Sequence, residues 1–251
     1  MSVIKHKRLL LGKILLLLVM LLSGLTVFGC VGIKSTPEGG SGGVIADGTL
    51  YLCPTVKTGS GFGCAAPATV GKLVAVNTSD GSRLWEVSLE TSTPAGGFGC
   101  APSASASVVI YGTPAVAGDL VYVGSYNGKM YAFNFDKDEP RWVYPREGNL
   151  QAIVGGPVVV GDKVYFGCSD GKVYALDAAT GSRFWGLPSG DKVWSTPAID
   201  GDRLYIGSFD KKLYALDAID GSEKWQFETE GAITATPLVY NSMVYIGSFD
   251  R

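Results

Sequence analysis

The dipeptides Thr113-Pro114, Gly156-Pro157, Thr196-Pro197 and Thr236-Pro237 recur at spacings of 43, 40 and 40 residues, and Tyr122, Tyr165, Tyr205 and Tyr245 keep the same intervals. A repeat of that period constrains the fold more tightly than any composition, because each unit must bury its apolar surface against its neighbours. The clearest unit, Thr196 to Glu230, reads TPAIDGDRLYIGSFDKKLYALDAIDGSEKWQFETE. Strand candidates lie near PAI, RLYIGS, KLYALD and KWQFE, and Asp200-Gly201, Asp210-Lys211 and Asp220-Gly221 supply the turns between them. In other units Asn127-Gly128 and Asp170-Gly171 mark the second turn. Four strands in about 40 residues leave no room for a crossover helix, so the unit is expected to be an antiparallel meander.

Alternation indicates how the meanders pack. In Arg203–Ser208, Leu204 and Ile206 point one way while Tyr205 and Gly207 point the other, and in Lys212–Asp217 Leu213 and Ala215 oppose Tyr214 and Leu216. Both faces are largely apolar, whereas a sheet with one wet face shows a cleaner polar alternation. Two dry faces fit a blade held between similar blades, as in a β-propeller. A β-solenoid is the alternative, although its rungs are usually shorter.

A second pattern fixes the register. Ala75, Asn77, Gly81 and Trp85 share their spacing with Ala132, Asn134, Asp138 and Trp142, with Ala175, Asp177, Gly181 and Trp185, and with Ala215, Asp217, Gly221 and Trp225. Asp or Asn can accept hydrogen bonds from the turn that follows it, and glycine permits positive φ there. Trp85, Trp142, Trp185 and Trp225 are then blade-docking plates for the next sheet, a core role and not a ligand-stacking one. The run ALDAATGSRFW over 175–185 resembles the tryptophan-docking motif of the PQQ-like propeller repeats, found in quinoprotein dehydrogenases and in outer-membrane assembly lipoproteins of the BamB family. The resemblance covers roughly residues 43–251. It implies an all-β propeller of four-stranded antiparallel blades. Counted along the repeat, four blades are complete and a fifth, over 236–251, stops at its second turn, so a fragment of a seven- or eight-bladed ring is expected.

The repeat is interrupted twice in its first unit. Residues 54–70 and about 89–111 are insertions, and both contain GFGCA, around Cys64 and Cys100. Long loops carry function more often than strands do, so Phe62 and Phe98 are candidate binding-loop residues. Cys64 and Cys100 form a candidate disulfide, motivated by the twin motif and an oxidising compartment; two free thiols are the alternative. Cys53 and Cys168 are expected within strands, as small core residues.

The first thirty residues carry a basic start, then an apolar run from Leu9 to Phe28 that ends at Val27-Phe28-Gly29-Cys30. This resembles a bacterial lipoprotein signal. The expected organisation is a signal peptide over 1–29, lipid attachment at Cys30, a flexible tether over 30–43 and the propeller over 44–251. An uncleaved anchor helix over 14–31 is the alternative. Either one holds the domain outside the cytoplasm, on the outer membrane facing the periplasm if the cell has two membranes, otherwise on the outer face of the plasma membrane.

Several activities are excluded on composition. The only histidine, His6, lies in the leader, so the remaining domain has no histidine general base and no histidine-ligated metal. Without the four basic residues of the leader, 17 basic residues face 23 acidic ones, which disfavours a nucleic-acid partner. The expected function is a protein-binding scaffold, with envelope or outer-membrane proteins as partners, no cofactor, and no catalytic or metal residues. The alternatives are a PQQ- and calcium-dependent dehydrogenase and an extracellular ligand-binding sensor. Against the dehydrogenase, no two cysteines are adjacent in the sequence.

Overall fold

The computed structural model describes residues 41–58, 68–89, 108–135 and 139–250. Every regular element there is a strand, and no helix of these residues is long and apolar enough to cross a membrane. The first sheet holds β1 (Val44–Ala46), β2 (Thr49–Leu52), β3 (Thr55–Thr58), β4 (Ala68–Asn77) and β5 (Arg83–Leu89). The second holds β6 (Ala115–Ala117), β7 (Leu120–Gly124), β8 (Met130–Asn134) and β9 (Pro140–Tyr144). The third is β10 (Val158–Val160), β11 (Lys163–Cys168), β12 (Lys172–Asp177) and β13 (Arg183–Pro188). The fourth is β14 (Ala198–Asp200), β15 (Arg203–Gly207), β16 (Lys212–Asp217) and β17 (Glu223–Glu228). Two strands, β18 (Leu238–Tyr240) and β19 (Met243–Tyr245), make a fifth. The second, third and fourth sheets pair strictly in chain order and antiparallel, the meander that the turn signals predict.

Turn chemistry sets each register. Asp200 pairs with Arg203 across Gly201-Asp202, and Gly201 has φ +59°. A two-residue hairpin with glycine first and positive φ matches the right-handed twist of the strands. The ten-residue Ala-to-Trp interval is a cross-strand pair: Ala132 faces Trp142, Ala175 faces Trp185 and Ala215 faces Trp225. The ladder shifts by one residue immediately after each alanine. The small alanine leaves room for the indole, and the bulge turns it toward the next sheet.

The core lies between sheets. Leu120, Tyr122, Met130 and Ala132 of the second sheet pack against Val164, Phe166, Tyr174 and Leu176 of the third. The opposite face of the third sheet, with Tyr165, Val173 and Ala175, packs on Leu204, Ile206 and Leu216 of the fourth. Both faces of one sheet are therefore dry, as the alternation requires. Tyr51, Leu73 and Ala75 meet Val121, Val123 and Phe133 in the same way between the first two sheets.

An aromatic clamp joins consecutive sheets. Trp142 Nε1 and Tyr122 Oη both donate to the Ala178 carbonyl, at 2.9 and 3.1 Å, and the Trp142 ring lies so close to Gly181 that a Cβ there would sit 2.7 Å from it. One sheet further on, Tyr165 Oη donates to Ala218 O at 2.8 Å, Trp185 Nε1 to Ile219 O at 3.1 Å, and Gly221 lies under the Trp185 ring. Burial, with the nearby Asp119 carboxylate, pushes the Tyr122 hydroxyl up to about 12, so it stays a donor across the physiological range.

The structure corrects three expectations. Trp225 is 41% exposed and not core, because β18 and β19 place no turn glycine beneath it. The first insertion is partly strand: β3 pairs with the start of β4, Thr55 facing Gly71 and Thr58 facing Ala68, since both segments offer β-branched residues that lengthen the hairpin. Cys53 lies between β2 and β3, buried outside any strand, while Cys168 ends β11 as expected. At the end of the expected tether, Gly42 lies beside Thr113 and Gly43 beside Leu50 and Leu52, with both glycines exposed.

Candidate functional site: an aromatic rim beside two insertions

In each meander the turn from the second strand to the third and the link from the fourth strand to the next sheet emerge at the same edge. Backbone hydrogen bonds tie them together there: Tyr126 N–H donates to Val109 O at 2.8 Å and Phe209 N–H to Lys192 O at 2.9 Å. Both insertions of the first sheet arise at these two positions. Their roots touch: Gly71 faces Leu89 in the ladder, and Val70 forms a parallel bridge with Val108. The approach is close enough that a Cβ on Gly71 would lie 2.8 Å from the Val108 carbonyl.

The rim next to these roots carries aromatic side chains. Tyr111 and Tyr126, each about half exposed, meet edge to face with centroids 5.7 Å apart. Trp194 meets Phe209 at 4.6 Å and 72°, donates from Nε1 to Ser169 Oγ at 2.8 Å, and has Lys192 Nζ 5.9 Å from its ring. Phe249 is 72% exposed. Half-buried, oriented aromatics with polar tips bring large contact area at low entropic cost, the chemistry of a protein-contact surface.

These residues occupy two equivalent offsets of the repeat, Tyr111/Val154/Trp194/Thr234 and Tyr126/Ser169/Phe209/Phe249. Their neighbours keep a common pattern while these positions vary, and that contrast is the sequence signal that locates the rim. Of the residues singled out from sequence, Trp142 and Trp185 sit between sheets and Trp225 faces an open groove, while Trp85 packs at the first interface with its ring 6.0 Å from that of Tyr51. Cys30, Phe62, Cys64, Phe98, Cys100 and Asp138 lie outside the described residues.

Among the described residues, no group of three or more His, Cys, Asp or Glu side chains is placed to hold a metal ion. Burial pushes the thiols of Cys53 and Cys168 up to about 12, so neither is a nucleophile near neutral pH. Native protein treated with a thiol alkylator is therefore expected to remain unmodified at both positions, and mass spectrometry after unfolding should reveal them.

The model of the family "outer membrane protein assembly factor BamB" matches residues 50–187 and 169–251. The chain belongs to this family. The PQQ-like repeat read from the docking motif is thereby borne out, and solved structures carry the same fold. BamB from Moraxella catarrhalis superposes with a TM-score of 0.62 at 20% identity, over 86% of this chain and 58% of that one. The quinohemoprotein alcohol dehydrogenase from Comamonas testosteroni gives 0.57 at 17%, over 85% of this chain and 40% of that one. This chain thus spans little more than half of the solved BamB. At these identities the likeness is one of fold, which serves unrelated chemistries. No curated protein matches the sequence.

Proposed function

We propose that this BamB-family propeller is a lipid-anchored, extracytoplasmic scaffold that binds envelope proteins through the aromatic rim and the two insertions, and that it is not an enzyme. One observation carries the reading: the roots of both insertions adjoin each other and continue into Tyr111 and Tyr126. Contact surfaces of this kind are rich in Tyr, Trp and Phe. The family match supports an envelope partner, and the leader ending at Cys30 supports the anchor. Several acyl chains hold a protein at a membrane far better than one.

The test is capture of envelope proteins by the purified chain. Cuts at 59–67 and 90–107 leave β3, β4, β5 and Val108 intact, so the sheets should still form. Capture is expected to fall sharply on either cut and on Trp194→Ala. Unchanged capture by all three variants would refute this face as the contact surface. The proposed Cys64–Cys100 bridge has its own test: two further labelled thiols should appear on reduction of the native protein, and their labelling without reductant would rule it out.

A further inference from the structure

The turn between β15 and β16 departs from its equivalents at one residue. Gly128 and Gly171 hold the left-handed position of the second-to-third-strand turn in their sheets, each with φ +78°. In the fourth sheet that position is Lys211, with φ +73°. The surrounding bonds are the same. Lys211 N–H donates to Ser208 O as Gly171 N–H does to Cys168 O, and Lys211 O accepts from Thr229 N–H as Gly171 O accepts from Ser189 N–H. The turn imposes the conformation, so a lysine there carries backbone strain that glycine would avoid. Strain that the surrounding structure holds in place points to a use for the side chain. Nothing within the chain uses it: Lys211 is exposed and, among the described residues, forms no ion pair. The adjoining carboxylate is spent on its own turn, since Asp210 accepts from Gly190 N–H at 2.7 Å, from Lys212 N–H at 3.0 Å and from the Tyr214 hydroxyl. A second exposed cation without an ion pair among the described residues, Lys192, stands on the facing link. Its carbonyl accepts from Phe209 N–H, its Nζ lies 5.9 Å from the Trp194 ring, and the neighbouring Asp191 carboxylate accepts from the Lys192 N–H at 2.7 Å.

We propose that Lys211 and Lys192 make this part of the rim the docking site for an acidic segment of a protein partner. Its carboxylates meet the two ammonium groups, and its apolar side chains rest on Trp194 and Phe209. The inference rests on the reading of the rim as a protein-contact surface and adds the charge of what binds there. Beyond the leader, 23 acidic residues face 17 basic ones, so the surface as a whole repels such a segment and the two unpaired cations set where it lands. The strain at Lys211 is then the cost of presenting an ammonium group where the repeat otherwise places glycine.

The test uses the 251-residue chain and a dye-labelled peptide of alternating Glu and Leu, with a Gln-Leu peptide as control. Fluorescence anisotropy should show saturable binding of the Glu peptide that weakens as salt is raised, and binding of the Gln peptide weaker by about tenfold or more. Lys211→Asn removes the ammonium group and places a residue that tolerates positive φ. It should weaken binding about threefold to fivefold while the urea midpoint of unfolding stays level or rises. Lys211→Arg keeps the charge and should keep the affinity. Equal binding of the two peptides, no binding of either, or full binding by Lys211→Asn would overturn the proposal. So would a lower urea midpoint for Lys211→Asn, since the lysine would then serve the fold. Envelope-protein capture by the same variants separates the two readings: loss with Trp194→Ala but not with Lys211→Asn would sink the acidic partner and leave the contact surface standing, whereas loss with neither variant nor either loop cut would sink both.

Discussion

Trp142→Ala is expected to lower the unfolding free energy by about 3–5 kcal/mol, whereas Trp225→Ala should change it by about 1 kcal/mol or less. The two residues stand at the same position of the repeat, each opposite an alanine across a bulged ladder. Their surroundings decide the difference. Trp142 is 7% exposed, fills the space over Gly181 and donates to Ala178 O, so truncation opens a cavity between two sheets and leaves a buried carbonyl with one donor fewer. The Trp225 indole faces the open groove. Urea unfolding followed by circular dichroism measures both, and equal losses would show that the indole acts within its own sheet and not on the next one.

Gly181→Ala should destabilise by about 2–4 kcal/mol, the sum of a left-handed backbone strain and an overpacked contact. Gly181 has φ +72°, and the new Cβ would lie 2.7 Å from the Trp142 ring. Gly81 supplies the control, since it also has φ +72° but nothing lies within 4 Å of its Cβ position. Gly81→Ala should therefore cost only the backbone part, about 1 kcal/mol. In a Trp142→Ala background the Gly181→Ala penalty should fall toward that of Gly81→Ala, because the clashing ring is gone. Additive losses would show that the two residues do not act on each other.

The periodic part of this molecule was readable from its sequence because it is local. Asp177 accepts from Ala179 N–H and Thr180 N–H at 3.1 and 2.8 Å, and the Asp-to-Gly spacing announces that turn without any tertiary contact. The paired faces of β12 were legible for the same reason, since alternation depends only on neighbouring residues. The tyrosine half of the clamp was not. Its spacing in the repeat identifies a strand position, but Tyr122 Oη bonds a backbone carbonyl 56 residues away, which no side-chain pattern announces. Trp225 was misread because its local sequence matches that of Trp185, and exposure is set by what packs on the far side. At the candidate site, the insertions drew attention to Phe62 and Phe98, yet the aromatic rim belongs to ordinary repeats. Tyr111 meets Tyr126, and Trp194 meets Phe209, only once the second-to-third-strand turns and the intersheet links share an edge.

Everything rests on four-stranded sheets that bury both faces against one another, and native-state hydrogen exchange reads that burial strand by strand. The amides of β11 and β12, whose flanking sheets cover both sides, should exchange slowest. Those of β18 and β19, where Leu238, Tyr240 and Met243 are exposed, should exchange fastest. If β12 exchanged as quickly as β19, the third sheet would not be held between its neighbours, and the propeller account would fail.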